Sequence, residues 1–166
     1  MKKHNSIKWL ILNKSIKLNL KRFINFKKNI YDEKLGWSYK YSKKNNLITK
    51  LGYRKSNYSK RKNHVLAFGD SYTFCREVKN HQTWEEIISK KKKTFVANYG
   101  VGNYGLDQAF LKFNFTKKKK ENKIVIFGFV PETICRIQSS WKNFLEFGNI
   151  NGFKPFTELK NNNLKF

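Results

Sequence analysis

A buried strand that runs into a sharp turn constrains this chain more than any other feature of its sequence. The short apolar run Val65–Phe68 is followed at once by Gly69-Asp70-Ser71, a pattern that favours a strand over a helix. A helix that begins near Tyr72 would leave Ser71 exposed at a strand end, where the helix dipole favours developing negative charge. Those conditions suit a serine nucleophile, although the tripeptide alone favours an ordinary helix N-cap.

Two more apolar runs, Phe95–Asn98 and Ile124–Phe129, predict further buried strands, and helical patterns lie between the three runs. This alternation predicts an α/β fold with a parallel sheet and right-handed crossovers. Functional residues of such sheets gather at the carboxyl ends of the strands. Ser71, the glycine-rich turn Gly100–Gly105 and Glu132 all fall there.

The helices between the strands have recognisable signals. The first begins with a capping box, in which Thr83 is the N-cap and Glu86 is the third helical residue. We expect Ile87 and Ile88 to form the buried side of this helix. Three apolar residues give the second helix its buried face: Leu106, Phe110 and Phe113.

The flanking segments suggest four regions along the chain. Residues 1–30 contain a basic amphipathic helix, which would pack on the domain or lie on a membrane surface. Residues 31–62 form an extended arm with two glycine–aromatic corners and no evident chemistry. Residues 63–156 form the main domain, and 157–166 form a tail. Towards the end of the chain, we expect a short helix at Trp141–Phe147 and a loop from Gly148 to Phe166.

The charge of the chain is strongly basic, with 36 Lys and Arg against 11 Asp and Glu and a net charge of +25. Such a field attracts nucleic acid, anionic lipid or acidic glycans. However, 31 of the 36 are Lys, whereas proteins that read base sequence rely on bidentate Arg. A strongly A/T-biased genome would also produce this composition. We therefore do not expect a nucleic-acid partner, and an anionic membrane remains a candidate partner of the N-terminal helix.

The cysteines and the apolar runs exclude several classes of protein. Cys75 and Cys135 are too few for a disulfide framework and lack metal-ligand spacing, so we expect free thiols, no metal and no cofactor. The sequence contains neither a run of about 18 apolar residues nor a secretory signal pattern. A cytoplasmic protein, or one peripheral to the cell envelope, is the resulting expectation.

Several motifs, taken in order over most of the chain, resemble those of the SGNH/GDSL-type hydrolases. The segment Ala67–Phe74 resembles the family's first block, which carries the nucleophile. The segment Asn98–Gln108 resembles the second block, which donates a backbone N–H to the oxyanion. The arm, with Leu35-Gly36-Trp37 and Leu51-Gly52-Tyr53-Arg54, resembles the N-terminal extension of bacterial members associated with envelope polysaccharides.

The resemblance implies a flavodoxin-like three-layer sandwich, truncated at its C-terminus, with residues 63–156 as a partial hydrolase domain. It makes Ser71 the nucleophile and the N–H of Ser71 one oxyanion donor. The N–H of Asn103 would be the second donor, at a place where many members have Gly. Gly69 and Asp70 would shape and hold the nucleophile turn.

Two departures affect the chemistry that the resemblance implies. The third block of the family offers an Asn amide to the oxyanion, and here the aligned residue is Glu132, with Thr133 as a substitute donor. The final block, an Asp and a His three residues apart, is missing, and the only histidines are His4, His64 and His81. We expect a fragment or a shortened relative that does not turn over substrate as it stands.

Three functions remain open at this point. The first is a serine ester hydrolase or acyl-transfer protein that acts on acyl esters of cell-surface glycans or lipids, with its base supplied by a missing segment. The second is a non-catalytic glycan-binding or envelope-assembly protein on the same fold, which Glu132 favours. The third is a basic nucleic-acid or membrane-surface binder, which ranks last because Arg is scarce.

Overall fold

The computed structural model describes residues 21, 24, 30–44, 46–116, 124–138, 140, 153–155, 158–161 and 163–165. The predicted N-terminal helix, apart from Lys21 and Ile24, and the predicted helix Trp141–Phe147 lie outside these residues. In chain order, the strands are β1 (Tyr31–Asp32), β2 (Gly36–Trp37), β3 (Asn63–Gly69), β4 (Phe95–Asn98), β5 (Ile124–Gly128), β6 (Glu158–Lys160) and β7 (Asn163–Lys165). The α-helices are α1 (Ser71–Phe74), α2 (Trp84–Lys91) and α3 (Leu106–Phe115). Two 3-10 helices cover Asn80–Gln82 and Pro131–Arg136.

A three-stranded parallel sheet forms the centre of the fold, in the order β4-β3-β5. The predicted α/β class and the three predicted strands are confirmed. Strand β3 is central because its apolar run is covered on both faces, and Leu66, Ala67 and Phe68 have no exposed surface. The ring of Phe68 stacks on Tyr99 at 5.1 Å between centroids. The same ring meets Phe113 of α3 at 5.5 Å, which packs that helix on the sheet.

Helix α2 buries a different face from the predicted one. Ile87 and Ile88 are 43% and 36% exposed, so the expectation that they form its buried side is wrong. Glu85, Glu86 and Ser89 are buried instead. Polar groups can replace apolar ones here because each finds a partner inside the fold. Ser89 Oγ, for example, accepts a hydrogen bond from the backbone N–H of Val96 at 3.0 Å.

The predicted capping box at the start of α2 is half formed. Thr83 Oγ1 accepts a hydrogen bond from the N–H of Glu86 at 3.3 Å, as expected of an N-cap. The Glu86 carboxylate does not accept the backbone N–H of Thr83, as a complete capping box would require. It accepts hydrogen bonds from the hydroxyl of Ser56 and from the N–H of Asn57, both in the arm. The carboxylate is buried under the arm, and these donors compensate for its loss of water.

The end of the chain contains a strand pair where the sequence suggested only loop. Strands β6 and β7 pair in an antiparallel hairpin, so this part of the loop expectation is wrong. Asn161 in the connection has φ of 52°, a left-handed conformation that Asn tolerates and that tight hairpin turns require. The sequence feature that could have predicted this hairpin is the pair Asn161-Asn162 between two short polar segments. No helix of the described residues is long and apolar enough to cross a membrane.

Candidate active site

The turn after β3 is held by Asp70, which is the N-cap of α1. Its Oδ1 accepts hydrogen bonds from the N–H groups of Tyr72 at 2.9 Å and of Thr73 at 3.5 Å. Its Oδ2 is buried, has no hydrogen bond within the described residues, and lies 3.9 Å from Arg136 Nη1. The carboxylate therefore fixes the backbone that presents Ser71.

Glycines allow the strand ends and α1 to approach each other closely. A Cβ on Gly69 would overlap the Thr73 hydroxyl and the carbonyl oxygen of Gly128 at the end of β5. Thr73 Oγ1 donates to the same carbonyl at 3.3 Å. A Cβ on Gly100 would lie 2.6 Å from the backbone nitrogen of Phe74. The carboxyl ends of the strands and the first turn of α1 are thus in direct contact.

Ser71 lies beside the glycine-rich turn. A Cβ built on Gly102 would stand 4.0 Å from the Cβ of Ser71. Ser71 is half-buried, and its hydroxyl makes no hydrogen bond to any described residue. The backbone N–H groups of Ser71 and Asn103 likewise have no hydrogen-bond partner there. Asn103 has φ of 67°, the left-handed conformation that Gly adopts without strain and that Asn tolerates.

A buried amide, that of Asn98 at the end of β4, joins three segments around this turn. Its Nδ2 donates to the carbonyl oxygen of Thr73 at 2.9 Å and to Glu85 Oε1 at 2.6 Å. Its Oδ1 accepts from the N–H of Gly100 at 2.9 Å. Burial raises the pKa of Glu85 to about 7, and burial also raises the pKa of the neighbouring Cys75 thiol. The position of Glu85 was not foreseen, since acidic residues in a first turn usually face water.

Arg54 of the arm is buried against the segment that follows α1. Burial lowers its pKa. Its guanidinium lies 4.9 Å from the centroid of the Phe74 ring. It donates hydrogen bonds to Phe74 O at 2.5 Å, Cys75 O at 2.7 Å, Val78 O at 2.9 Å and Asn80 Oδ1 at 2.9 Å. A single side chain thus satisfies carbonyl groups left open where the short helix ends.

The first part of the arm contacts the glycine-rich turn directly. Trp37 Nε1 donates to the carbonyl oxygen of Gly102 at 3.0 Å, and the Tyr104 hydroxyl donates to the carbonyl oxygen of Trp37 at 2.6 Å. Burial raises the pKa of Tyr104 above its usual range. The N–H of Gly102 donates to the Tyr39 hydroxyl oxygen at 3.2 Å. The arm, to which the sequence assigned no chemistry, therefore lines the Ser71 site.

The third-block position lies beyond β5. The backbone of Glu132 belongs to the 3-10 helix Pro131–Arg136. Thr133, the substitute donor considered from the sequence, is buried, and its hydroxyl donates to the carbonyl oxygen of Val130 at 2.7 Å. That proton is therefore engaged in a local turn.

The structure places the backbones of two of the three histidines, His64 and His81. His81 is exposed in the 3-10 helix Asn80–Gln82 and lines a cleft of about 590 Å³ between α2 and the arm, together with Glu86 and Lys90. His64 lies at the amino end of β3, whereas Ser71 follows its carboxyl end. His4 lies outside the described residues. Within them, no group of three or more His, Cys, Asp or Glu is arranged to hold a metal, and both cysteines are free thiols.

Comparisons of the chain with protein-family models, with curated protein sequences and with solved structures find no match.

Proposed function

We propose that this chain is an SGNH/GDSL-like serine ester hydrolase or acyl-transfer protein that acts on acyl esters of glycans or lipids at the cell surface. Ser71 is the nucleophile. The observation that carries the proposal is the position of Ser71 against Gly102 at the carboxyl edge of a parallel sheet, where the backbone N–H groups of Ser71 and Asn103 donate to no described residue. The strand order of the described sheet also supports it, because it matches the first three strands of a flavodoxin-like sheet.

The chemistry would begin with attack of Ser71 Oγ on the ester carbonyl carbon. The carbonyl oxygen becomes negatively charged and accepts hydrogen bonds from the N–H groups of Ser71 and Asn103. A donor placed in this way typically contributes on the order of 100- to 1000-fold in rate. The Ser71 proton passes through water to the departing alkoxide, which leaves as the alcohol. Water or an acceptor hydroxyl then attacks the acyl group, its proton returns through solvent to Ser71 Oγ, and the acid or the new ester is released. Because no described side chain accepts the Ser71 proton, we expect acylation by activated reagents and little turnover at neutral pH.

A fluorophosphonate probe tests this proposal. Ser71 Oγ forms a bond to phosphorus, fluoride leaves, and the hydroxyl proton passes to water. We expect labelling at Ser71, identified by peptide mass spectrometry, that disappears in Ser71→Ala and persists in Ser59→Ala, a change at an exposed turn residue. Absence of labelling at Ser71 in the unsubstituted chain, with the fold verified by circular dichroism, contradicts the proposal.

A second candidate function is glycan binding or envelope assembly without catalysis on the same fold. The observation that favours it is the Ser71 hydroxyl, which has no hydrogen bond to a base among the described residues, together with Glu132 in place of an amide donor. An ionised carboxylate at that place would oppose an oxyanion. Binding of envelope oligosaccharide that is equal in the unsubstituted chain and in Ser71→Ala, without any probe labelling, would favour this function over the first.

A further inference from the structure

The hydroxyl of Tyr39 lies at the Ser71 site although Tyr39 belongs to the arm. A Cβ built on Gly102 would lie 2.8 Å from Tyr39 Oη and 4.0 Å from the Cβ of Ser71. Since both distances start from the same point, Tyr39 Oη is within about 7 Å of the Ser71 Cβ. This upper bound places the phenol within reach of the oxygen of a carbonyl group that Ser71 attacks.

The hydrogen bonds of Tyr39 leave its proton available. Its oxygen accepts the N–H of Gly102 at 3.2 Å, and its own O–H donates to no described residue. A phenol is both a donor and an acceptor, so this arrangement orients the oxygen while the O–H remains unused. The ring is half-buried and packs on the Phe74 ring at 4.5 Å between centroids. The hydroxyl is therefore fixed from two sides.

We propose that Tyr39 is a catalytic residue that donates a hydrogen bond to the anionic oxygen formed when Ser71 attacks an ester. This inference depends on the proposed function of Ser71. Tyr39 keeps its proton throughout, and only the hydrogen bond strengthens as the carbonyl oxygen gains charge. The phenol supplies a third donor beside the N–H groups of Ser71 and Asn103, in a sequence that has Glu132 at the position where the resemblance implies an amide.

A purely structural role for Tyr39 makes a different prediction. The ring would then matter for packing, and loosening its contact with Phe74 would impair the site as much as removing the hydroxyl. Tyr39→Phe removes the hydroxyl and keeps the ring, whereas Phe74→Leu weakens the ring contact and keeps the hydroxyl. Tyr41→Phe is a matched control, because Tyr41 is exposed and its ring lies near Lys50.

The experiment measures the rate of fluorophosphonate labelling at Ser71 in these variants, since the phosphoryl oxygen occupies the position of the anionic oxygen. We expect Tyr39→Phe to be slower by roughly 100-fold, Phe74→Leu by less than about 10-fold, and Tyr41→Phe to be unchanged. Gly102→Ala displaces the Tyr39 hydroxyl without removing it, and we expect it to slow labelling too. Circular dichroism and thermal unfolding show that each variant is folded.

The outcomes separate this inference from the proposed function. Labelling of Ser71 that is equally fast in the unsubstituted chain and in Tyr39→Phe overturns the role of Tyr39. The same result agrees with Ser71 as the nucleophile. Equal slowing by Tyr39→Phe and Phe74→Leu also overturns that role, in favour of packing. If Tyr39→Phe does not fold, Gly102→Ala decides the question. A rate of Ser71 labelling in Gly102→Ala that equals the rate in the unsubstituted chain overturns the role of Tyr39. Failure of Ser71 to react in the unsubstituted chain overturns both proposals.

Discussion

Glu85 makes the stability of this protein depend on pH in a direction that is unusual for a carboxylate. The side chain is 3% exposed, and its Oε1 accepts from Asn98 Nδ2 at 2.6 Å. The Cys75 thiol donates to its Oε2 at 3.8 Å, and the Arg54 guanidinium acts on it through its charge. Burial outweighs these favourable partners and raises the pKa of Glu85 from 4.5 to about 7.

The magnitude follows from the difference in pKa between the folded and unfolded chains. Between about pH 4.5 and 7 the folded protein keeps the Glu85 proton that the unfolded chain has lost. The contribution to stability is fully present below that window and is lost as the pH rises through it. One pKa unit corresponds to about 1.4 kcal/mol, so the loss is about 3 kcal/mol.

Glu85→Gln isolates this contribution, because the amide has nearly the same shape and does not titrate. We expect the free energy of unfolding of the unsubstituted chain, minus that of the variant, to fall by about 3 kcal/mol between about pH 4 and pH 8. Urea denaturation followed by circular dichroism measures both. Histidines and other titrating groups cancel in the difference. A difference that does not change with pH would refute the reasoning, and a rise with pH would reverse its sign.

Two further predictions concern buried cations. Arg54→Met leaves its carbonyl partners without a donor and is expected to lower the free energy of unfolding by about 3 kcal/mol, whereas Arg76→Met, at an exposed ion pair, changes it by less than about 0.5 kcal/mol. Equal urea midpoints for the two variants would contradict this. Burial lowers the pKa of Lys112 from 10.5 to about 7, so its contribution to stability rises with pH between those values. Lys112→Met is expected to be more stable at pH 7 by about 1–3 kcal/mol in thermal unfolding, and a less stable variant would be the opposite result.

The sheet could be predicted because its strands are marked locally. The run Val65–Phe68 is apolar at every position, as strands covered on both faces require, and the structure covers Leu66 and Phe68 completely. The turn at Gly69 and Asp70 carries its own signals as well, since a Cβ has no room at the first and the second caps a helix. Information of this kind lies within a few residues along the chain.

The surroundings of the site could not be predicted in the same way. The contact of Trp37 with Gly102 joins residues 65 positions apart, and nothing near either residue indicates the other. Ile87 and Ile88 were expected inside because they are apolar. The buried face of the helix instead contains the carboxylate of Glu85, which accepts a hydrogen bond from Asn98. Hydrophobicity alone does not reveal a polar partner from a distant segment.

The contacts of the arm have a consequence for the order in which the protein folds. The hydrogen bonds from Gln108 to Leu35 and from Tyr104 to Trp37 close loops of 73 and 67 residues. Closing such long loops costs conformational entropy before the stabilising contacts have formed, and for this reason non-local pairings slow folding. The α-helices and the short hairpins are expected to form early, and the contacts between the arm and the glycine-rich turn only in the final, slowest phase. Refolding experiments should therefore recover helical signal before the tertiary contacts of Trp37 and Tyr104.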